Sequence, residues 1–414
     1  MKVLMIASVA SMIKQFNMNN ISLLQKLGFE VEIACNFLEG NACDLDSIEV
    51  FKKDLKKLKI IYHQIDFPRK IYDVKNNYNS FKQLLELYYS NSYNLIYCQT
   101  PIGGALARLS LIKIKEKRHL KIIYAAHGFH FFKGSSLISW FVYFPIEKFL
   151  AHYTDILITI NSEDYDRSKK FKLPSNGKTI YVPGVGINLS ECIVSNKENT
   201  KKKLLLNTNA FILLSIGELT KRKNHEVVIR AVYKLVNTSS RKIVTLLKYL
   251  NEEKVDEIKK RLVYVICGMG KEELKLKKLV NDLQLNKYIK FLGYQSDVKE
   301  ILMVSDAFIF PSRQEGLPVA LMEAMAFRLP IICSDIRGNK DLIKNQGGIM
   351  LNPCNVDNVM ESIIRIYTLE EKQKRCMIDK NYNTLSNFSE NVVNKQMYKI
   401  FSDIKENLEE RTND

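Results

Sequence analysis

Short apolar runs rich in β-branched residues recur along this chain. Between them lie longer stretches whose apolar residues return every three or four positions. No other feature constrains the fold as much. A strand apolar at every position has both faces buried, as in a parallel sheet between two helical layers. Runs of this kind fall at 3–7, 31–35, 60–65, 95–98, 122–126 and 156–160. Apolar positions 18, 21, 24 and 27 predict a helix over 17–27, and 102–115 and 137–152 read as helices as well. Near 183–210 the texture changes: Pro183, Gly184 and Gly186 end one unit, and residues 190–209 are polar and rich in Lys and Asn. A second series follows at 211–216, 262–267, 289–292, 307–310, 331–334 and 349–351, with helices at 224–236, 272–283 and 319–327. The last forty residues are helical, ending in 392–408. The expected fold class is α/β, with two doubly wound domains facing across a cleft and ligands at the carboxyl ends of the strands. Residues 237–261, rich in Lys and Glu around an apolar centre, do not fit a compact second domain. They predict an extra surface helix, either a solvated insertion or an element facing a partner or membrane.

The 414 residues carry 62 Lys and Arg against 45 Asp and Glu, a formal charge of +17. Residues 1–190 hold 25 of the basic and 16 of the acidic side chains, so the excess is spread and not gathered in a tail. A spread basic field attracts anions in general: phosphorylated small substrates, anionic lipid headgroups or nucleic acid. No recognition helix, aromatic RNA-binding strand or arginine cluster supports nucleic acid. Eight cysteines without a CxxC pair read as thiols in a reducing compartment, and six histidines give no zinc signature. The apolar N-terminus is interrupted by Lys14, Gln15 and Asn17, and the most apolar segment, 137–146, is too short to span a bilayer. These features predict a cytoplasmic protein.

Chemistry can sit in the loops after the strands. In the segment 311–323, ProSerArgGlnGluGlyLeuProValAlaLeuMetGlu, a buried strand gives way to a loop and then a helix. The backbone N–H groups at that helix start can hold an anion such as a diphosphate. Glu315 in the loop and Glu323 inside the helix can face one ligand, each accepting from neighbouring hydroxyls. The competing reading makes Glu323 a solvated helix residue and Glu315 part of a surface turn. After strand 211–216 comes Gly217-Glu218-Leu219-Thr220-Lys221-Arg222-Lys223-Asn224, whose cations suit a phosphate, although all three cannot point inward. Gly268-Met269-Gly270 lets backbone approach closely. Walker A and GxGxxG loops are absent, which argues against nucleotide hydrolysis and nicotinamide redox chemistry. In the first half, ThrProIleGlyGly at 100–104 and HisGlyPheHisPhe at 127–131 follow strands. His127 either touches ligand or caps structure. Glu163 and Asp164 fall where acids favour a helix N-terminus. The apolar segment with the only tryptophan, 137–146, is either core or a shelf for a lipid-linked acceptor, assisted by Lys52, Lys53, Lys56, Lys57 and Lys59.

Together these loops resemble the group 1 glycosyltransferases of family 4, the retaining GT-B enzymes, in the subfamily that builds bacterial capsule and exopolysaccharide repeat units. The resemblance covers about residues 2–405. Its centre is the E-x7-E motif in EGLPVALMEAMA, with Glu315 and Glu323 as the acids. It continues through ThrProIleGlyGlyAlaLeuAlaArgLeu at 100–109, HisGlyPheHisPhe at 127–131, TyrPheProIleGluLys at 143–148 and AsnSerGluAspTyr at 161–165. It implies two Rossmann-like domains, an acceptor-side one at 1–190 and a nucleotide-sugar one at 205–385, with 386–414 packing back on the first. It also implies that Glu315 meets the donor sugar hydroxyls and Glu323 the ribose. Lys223 would bind the diphosphate with the backbone of Gly316 and Leu317, and His127 would meet the transferred sugar. Gly293 and Tyr294 would lie by the base, with Gly217, Arg222 and Gly268 completing the donor set. Two departures stand out. Glu218 occupies the place where many members carry a second diphosphate-binding arginine, and Ala7-Ser8-Val9-Ala10-Ser11 replaces paired glycines near the acceptor.

The resulting expectation is transfer, with retention, of a hexose or N-acetylhexosamine from a UDP-sugar to a glycan on a polyprenyl diphosphate. It needs no cofactor and no metal, and it takes place at the anionic inner face of the plasma membrane. The alternative is a non-catalytic subunit of a polysaccharide assembly complex that binds nucleotide-sugar or lipid carrier.

Overall fold

The computed structural model describes residues 1–39, 45–114, 120–189, 200–202, 207–248, 250–295 and 297–413. Most of the polar stretch 190–209, and with it Cys192, lies outside them, as does Cys43. The chain divides into two compact units, Met1–Gly186 with Glu390–Asp414, and Ile187–Ser389.

The first unit holds strands β1 (Lys2–Val9), β2 (Glu30–Asn36), β3 (Ile61–Gln64), β4 (Leu95–Gln99), β5 (Lys121–Ala126), β6 (Ile156–Thr159) and β7 (Lys178–Tyr181). They form one parallel sheet in the order β3-β2-β1-β4-β5-β6-β7. Its order reverses at β1 and β4, the switch point where doubly wound sheets open a ligand crevice. Alternate residues of β1 feed opposite cores. Val3, Met5 and Ala7 pack with helices Met18–Lys26, Leu45–Lys57 and Glu390–Asn413. Leu4 and Ile6 pack with helices Val74–Ser90, Pro101–Ile112 and Leu137–Ala151. The closing helix Glu390–Asn413 contributes Val393, Met397, Ile400, Phe401 and Ile404 to the first of these cores, and Phe401 meets Tyr97 edge-on.

The second unit holds β8 (Phe211–Ile216), β9 (Leu262–Cys267), β10 (Ile289–Gly293), β11 (Ala307–Phe310), β12 (Ile331–Ser334) and β13 (Ile349–Leu351). All are parallel, in the order β10-β9-β8-β11-β12-β13, so the switch point here lies between β8 and β11.

The predicted helix 17–27 is present as Met18–Lys26, and a further helix that was not predicted, Ala10–Phe16, precedes it and ends at Asn17. The Asn17 side chain turns inward, donating to Met12 O and Gln99 Oε1. Two readings of the sequence need correction. Residues 237–261 form two helices, Ser240–Leu247 and Glu252–Arg261, and not a solvated insertion. Ile243, Val255 and Ile258 are fully buried in the second unit's core, so only the Lys- and Glu-bearing faces are wet. Finally, the basic run and the tryptophan segment are not neighbours. Helix Leu45–Lys57 lies on one face of the first sheet and helix Leu137–Ala151 on the other.

Candidate active site

Helices follow strands in both units, so the loops that carry chemistry gather at the carboxyl edge of each sheet. Ten of the eleven candidate residues belong to the second unit, and His127 belongs to the first.

In the second unit, three glycines close the ends of β8, β9 and β10. Gly217 N–H donates to Cys267 O (3.0 Å), and Gly268 N–H donates to Gly293 O (2.7 Å). A Cβ on Gly268 would lie 2.1 Å from Gly217 O at a φ of +142°, so no other residue fits without moving backbone. Gly293 has a φ of +68°, and beside it Tyr294 is exposed. The chain next turns at Asn224, in left-handed conformation (φ 59°). The turn is held because the Asn224 amide donates to Pro311 O (3.1 Å) and Pro353 O (2.8 Å).

That turn aims Lys223 inward. Its Nζ lies 2.8 Å from Glu315 Oε1 and 4.4 Å from the Phe310 ring centroid, with the aliphatic stem packed along Gly217. Arg222 reaches the same carboxylate oxygen at 3.1 Å and also donates to Gln314 O (2.9 Å). Lys221 is exposed, so one of the three cations is ordinary surface charge. Burial pushes the Lys223 ammonium below its usual range, and Glu315 only partly offsets this. Burial acts on Glu315 too, raising its pKa, but Lys223 and Arg222 outweigh it and hold the carboxyl below the ordinary value. Glu315 is therefore ionised at neutral pH, with Lys223 as its nearest partner. From β12's end, Arg337 Nε donates to Glu315 O (3.1 Å) and fixes the loop's backbone. Gly338 (φ 77°) lies so close to Gly316 that a Cβ would sit 2.4 Å from its carbonyl oxygen. Leu317 is buried, and Pro318 caps the helix Val319–Ala326. Glu323 sits half-buried on that helix, its pKa raised by burial and by Asp297, with Lys299 pulling the other way. It is thus neither a solvated helix residue nor a member of the Glu315 cluster.

At the first unit's edge the groups around His127 are neutral. His127 Nε2 lies 2.8 Å from Gln99 Oε1. Gln99, fully buried at the end of β4, pairs reciprocally with Asn17: Nε2 donates to Asn17 Oδ1 (2.6 Å), and Asn17 Nδ2 donates to Gln99 Oε1 (3.0 Å). Desolvation lowers the His127 pKa to about 4, so the imidazole is neutral at physiological pH. The loop carrying it is tied down from helix Ser162–Ser168. Asp164 Oδ2 accepts from Phe129 N–H (2.9 Å), and Glu163 Oε1 accepts from Lys133 N–H (2.7 Å) and Arg167 (3.0 Å). These acids do more than favour a helix start. Beside them Thr100 holds φ 64°, costly for a β-branched residue. Its Oγ1 accepts from Ser8 N–H (3.0 Å), while Ser8 Oγ accepts from Gly103 N–H (3.0 Å). Gln99 escaped the sequence reading, and Asn17 and Ser8 entered it only as an interruption of an apolar run and as part of the segment 7–11. Gln99 could have been found as the one polar residue closing an otherwise apolar strand, whereas Ser8 and Asn17 carry no such signal.

Comparisons with known proteins identify the family. Residues 196–382 match the model for glycosyl transferases group 1, and 2–161 match that for glycosyl transferase 4-like domains. A putative glycosyltransferase, EpsD, of Bacillus subtilis is 30% identical over 97% of this chain and 96% of its own length. The UDP-Gal:alpha-D-GlcNAc-diphosphoundecaprenol alpha-1,3-galactosyltransferase of Escherichia coli is 28% identical over 69% of this chain and 70% of that protein. Among solved structures, Anabaena HepE in complex with UDP and glucose superposes with a TM-score of 0.70 over 97% of this chain and 100% of that one, at 15% identity. WaaG, a glycosyltransferase involved in lipopolysaccharide biosynthesis, gives 0.69 over 97% of this chain and 99% of its own, at 14% identity. With two doubly wound units, the E-x7-E loop and a relative this similar over nearly its whole length, the chain belongs to the GT-B glycosyltransferases of family 4, in the exopolysaccharide type.

Proposed function

We propose that this protein transfers a hexose or N-acetylhexosamine, with retention, from a UDP-sugar to a glycan carried on a polyprenyl diphosphate, at the cytoplasmic face of the membrane. One observation carries the reading: Lys223 and Arg222 converge on a single oxygen of buried Glu315, at the switch point of the second sheet. A buried carboxylate shared by two cations is poised for exchange. A diphosphate arriving at this edge offers Lys223 and Arg222 a stronger anion, and Glu315 is then free to accept hydrogen bonds from sugar hydroxyls. As the glycosidic bond weakens, negative charge grows on the leaving diphosphate. Lys223 and the helix Val319–Ala326 N-terminus meet that charge without reorganising. The protein's own cations supply the positive charge the step requires, and the reading includes no metal. Glu323, held apart from this cluster, is assigned to the ribose, Gly293 and Tyr294 to the base, and His127 to the transferred sugar.

Support for UDP comes from the HepE complex, and support for the lipid-linked acceptor from the E. coli galactosyltransferase's own substrate. The test incubates the full chain with a panel of UDP- and GDP-sugars and a polyprenyl-diphosphate-linked acceptor, then reads the anomeric configuration of the product by NMR. A product that keeps the donor's configuration supports the reading. Tight nucleotide-sugar binding with no transfer from any donor would overturn it in favour of a non-catalytic binding subunit. Inversion would overturn the retaining step alone.

A further inference from the structure

Helices on the β1–Leu4/Ile6 face of the first sheet run antiparallel to the strands, so their N-termini gather at the carboxyl edge, where the His127 loop lies. Two of these helix starts leave large apolar side chains uncovered. At the head of Leu137–Ala151, Leu137 is 75% exposed, Ile138 74% and Phe141 79%. Trp140 and Phe144 on the same helix turn inward onto Phe131, so the helix divides between a core side and an open side. At the head of Val74–Ser90, Tyr72, Val74 and Tyr78 are also exposed. Lys70 lies over the Tyr72 ring at 5.5 Å and Lys82 over Tyr78 at 4.7 Å. The chain runs from His127 to Phe141 without leaving this edge, and Asp164 and Glu163 hold its loop rigid.

We propose that this rim, with Leu137, Ile138 and Phe141 as its wedge, seats the enzyme in the interfacial layer of an anionic bilayer. The proposal rests on the reading that the acceptor is lipid-linked. Lysine separates a bilayer from a protein partner as the occupant. The cores of protein interfaces are depleted of lysine, whereas a lipid headgroup layer favours tyrosine and lysine around an apolar wedge. The chain's +17 charge has the matching sign. The rim also replaces the surface that the sequence pointed to. Lys52, Lys53, Lys56 and Lys57 lie on the opposite face of the sheet, in the half of their helix that runs toward the amino edge. Two of them are already engaged: Lys52 pairs with Glu49, and Lys57 with Asp54.

The test is flotation of the full chain with phosphatidylcholine vesicles, with and without phosphatidylglycerol. Three proteins are compared: the native chain, the triple variant Leu137→Ser, Ile138→Ser, Phe141→Ser, and a variant with Lys52, Lys53, Lys56 and Lys57 changed to Gln. The triple variant should lose at least about tenfold in partition to anionic vesicles, since each apolar side chain adds insertion free energy. The lysine variant should lose much less. Thermal melting and UDP titration show whether the triple variant is folded, and Phe141→Ser alone provides a milder version. Transfer to a vesicle-embedded acceptor should fall with partition, while transfer to a short-chain soluble analogue should hold. Undiminished partition of the triple variant overturns the proposal, as does loss confined to the lysine variant. A change in self-association in place of vesicle binding, seen by sedimentation, assigns the rim to a second copy of the chain and overturns it too. If the native chain transfers no sugar yet floats with this pattern of variants, the rim stands and the enzymatic reading fails.

Discussion

At the carboxyl edge of its sheet, each unit starts a helix with a non-glycine residue at positive φ, and the two fasten it with different chemistry. Thr100, before helix Pro101–Ile112, is held by the backbone N–H and the hydroxyl of Ser8. Asn224, before helix His225–Asn237, is held by two carbonyls. Around Thr100 the network is neutral: Asn17, Gln99 and a His127 imidazole kept uncharged by burial. Around Asn224 it is ionic, with Lys223 and Arg222 on Glu315. A neutral network fixes geometry and resists salt, but has nothing to exchange with an anion. An ionic cluster can trade one anion for another while its positive charge stays in place. The first edge is therefore suited to orienting an uncharged sugar and the second to following a charge that grows during reaction.

Lys223→Ala is the most severe way to break this contrast. Its ammonium should be worth more as the diphosphate departs than in the bound donor complex, so turnover should fall by about 10²-fold or more, with a smaller loss of donor affinity. Single-turnover transfer and a separate donor titration measure the two. Equal losses would mean that Lys223 only holds the donor. Lys221→Ala, at an exposed position, should change little.

Gln99→Leu tests the neutral edge. It removes the Gln99 oxygen that meets His127 and leaves Asn17 only Met12 O and Asn20, which should cost about 2 kcal/mol of stability, since an orphaned buried polar group costs about 1–3 kcal/mol. UDP affinity should be unaffected, because none of the residues assigned to the nucleotide (Lys223, Glu323, Gly293 and Tyr294) belongs to this network. A denaturant titration beside UDP calorimetry checks both, and a fall in UDP affinity would remove the distinction between the edges.

How much of this was legible in the sequence followed from which forces act locally. The second unit's six strands could be read because each is apolar at nearly every position. Strand β7 could not, being four residues that begin with Lys178 and are only half-buried within. Lys223 and Glu315 stood out separately through their loops, but the pairing between them spans 92 residues and has no local signature. The inward turn of Asn17 was hidden because Gln99, 82 residues away, supplies the partner that makes a buried asparagine tolerable. Residues 237–261 were read as one helix because the break between the two falls at Lys248, a left-handed turn made without glycine or proline.

Glu323→Ala sharpens the division within the ionic unit. Glu323 stands apart from the Lys223–Glu315 cluster, and each charge-assisted bond it would give a ribose hydroxyl is worth about 1.5–3 kcal/mol. UDP binding should weaken at least about tenfold while the fold is kept. Unchanged affinity in calorimetry would withdraw the ribose assignment and leave the diphosphate cluster as the donor's main hold.

The smallest expected effect is a pH slope that belongs to the neutral edge. His127 has a native pKa of about 4, against an ordinary value of 6.5. As pH falls through 6.5 the unfolded chain takes up a proton that the native imidazole refuses. The stability this group contributes is thus complete above 6.5 and lost progressively down to 4, at about 1 kcal/mol per pH unit. Glu315 cannot imitate this, because its depressed carboxyl pKa places its own loss below the ordinary carboxylate value. His225 in the second unit can, since burial first and then Lys223 lower its pKa to about 3, so the whole-protein slope is shared. His127→Gln separates the two: it can still hydrogen-bond Gln99 but cannot titrate. Melting midpoints of native and variant chains are compared at pH 7.5 and pH 5. The native chain should lose more on acidification than the variant, and the variant's UDP affinity should follow pH just as the native protein's does. Parallel losses in the two chains would mean that the His127 site accepts a proton in the folded state, and the first edge would then be as chargeable as the second.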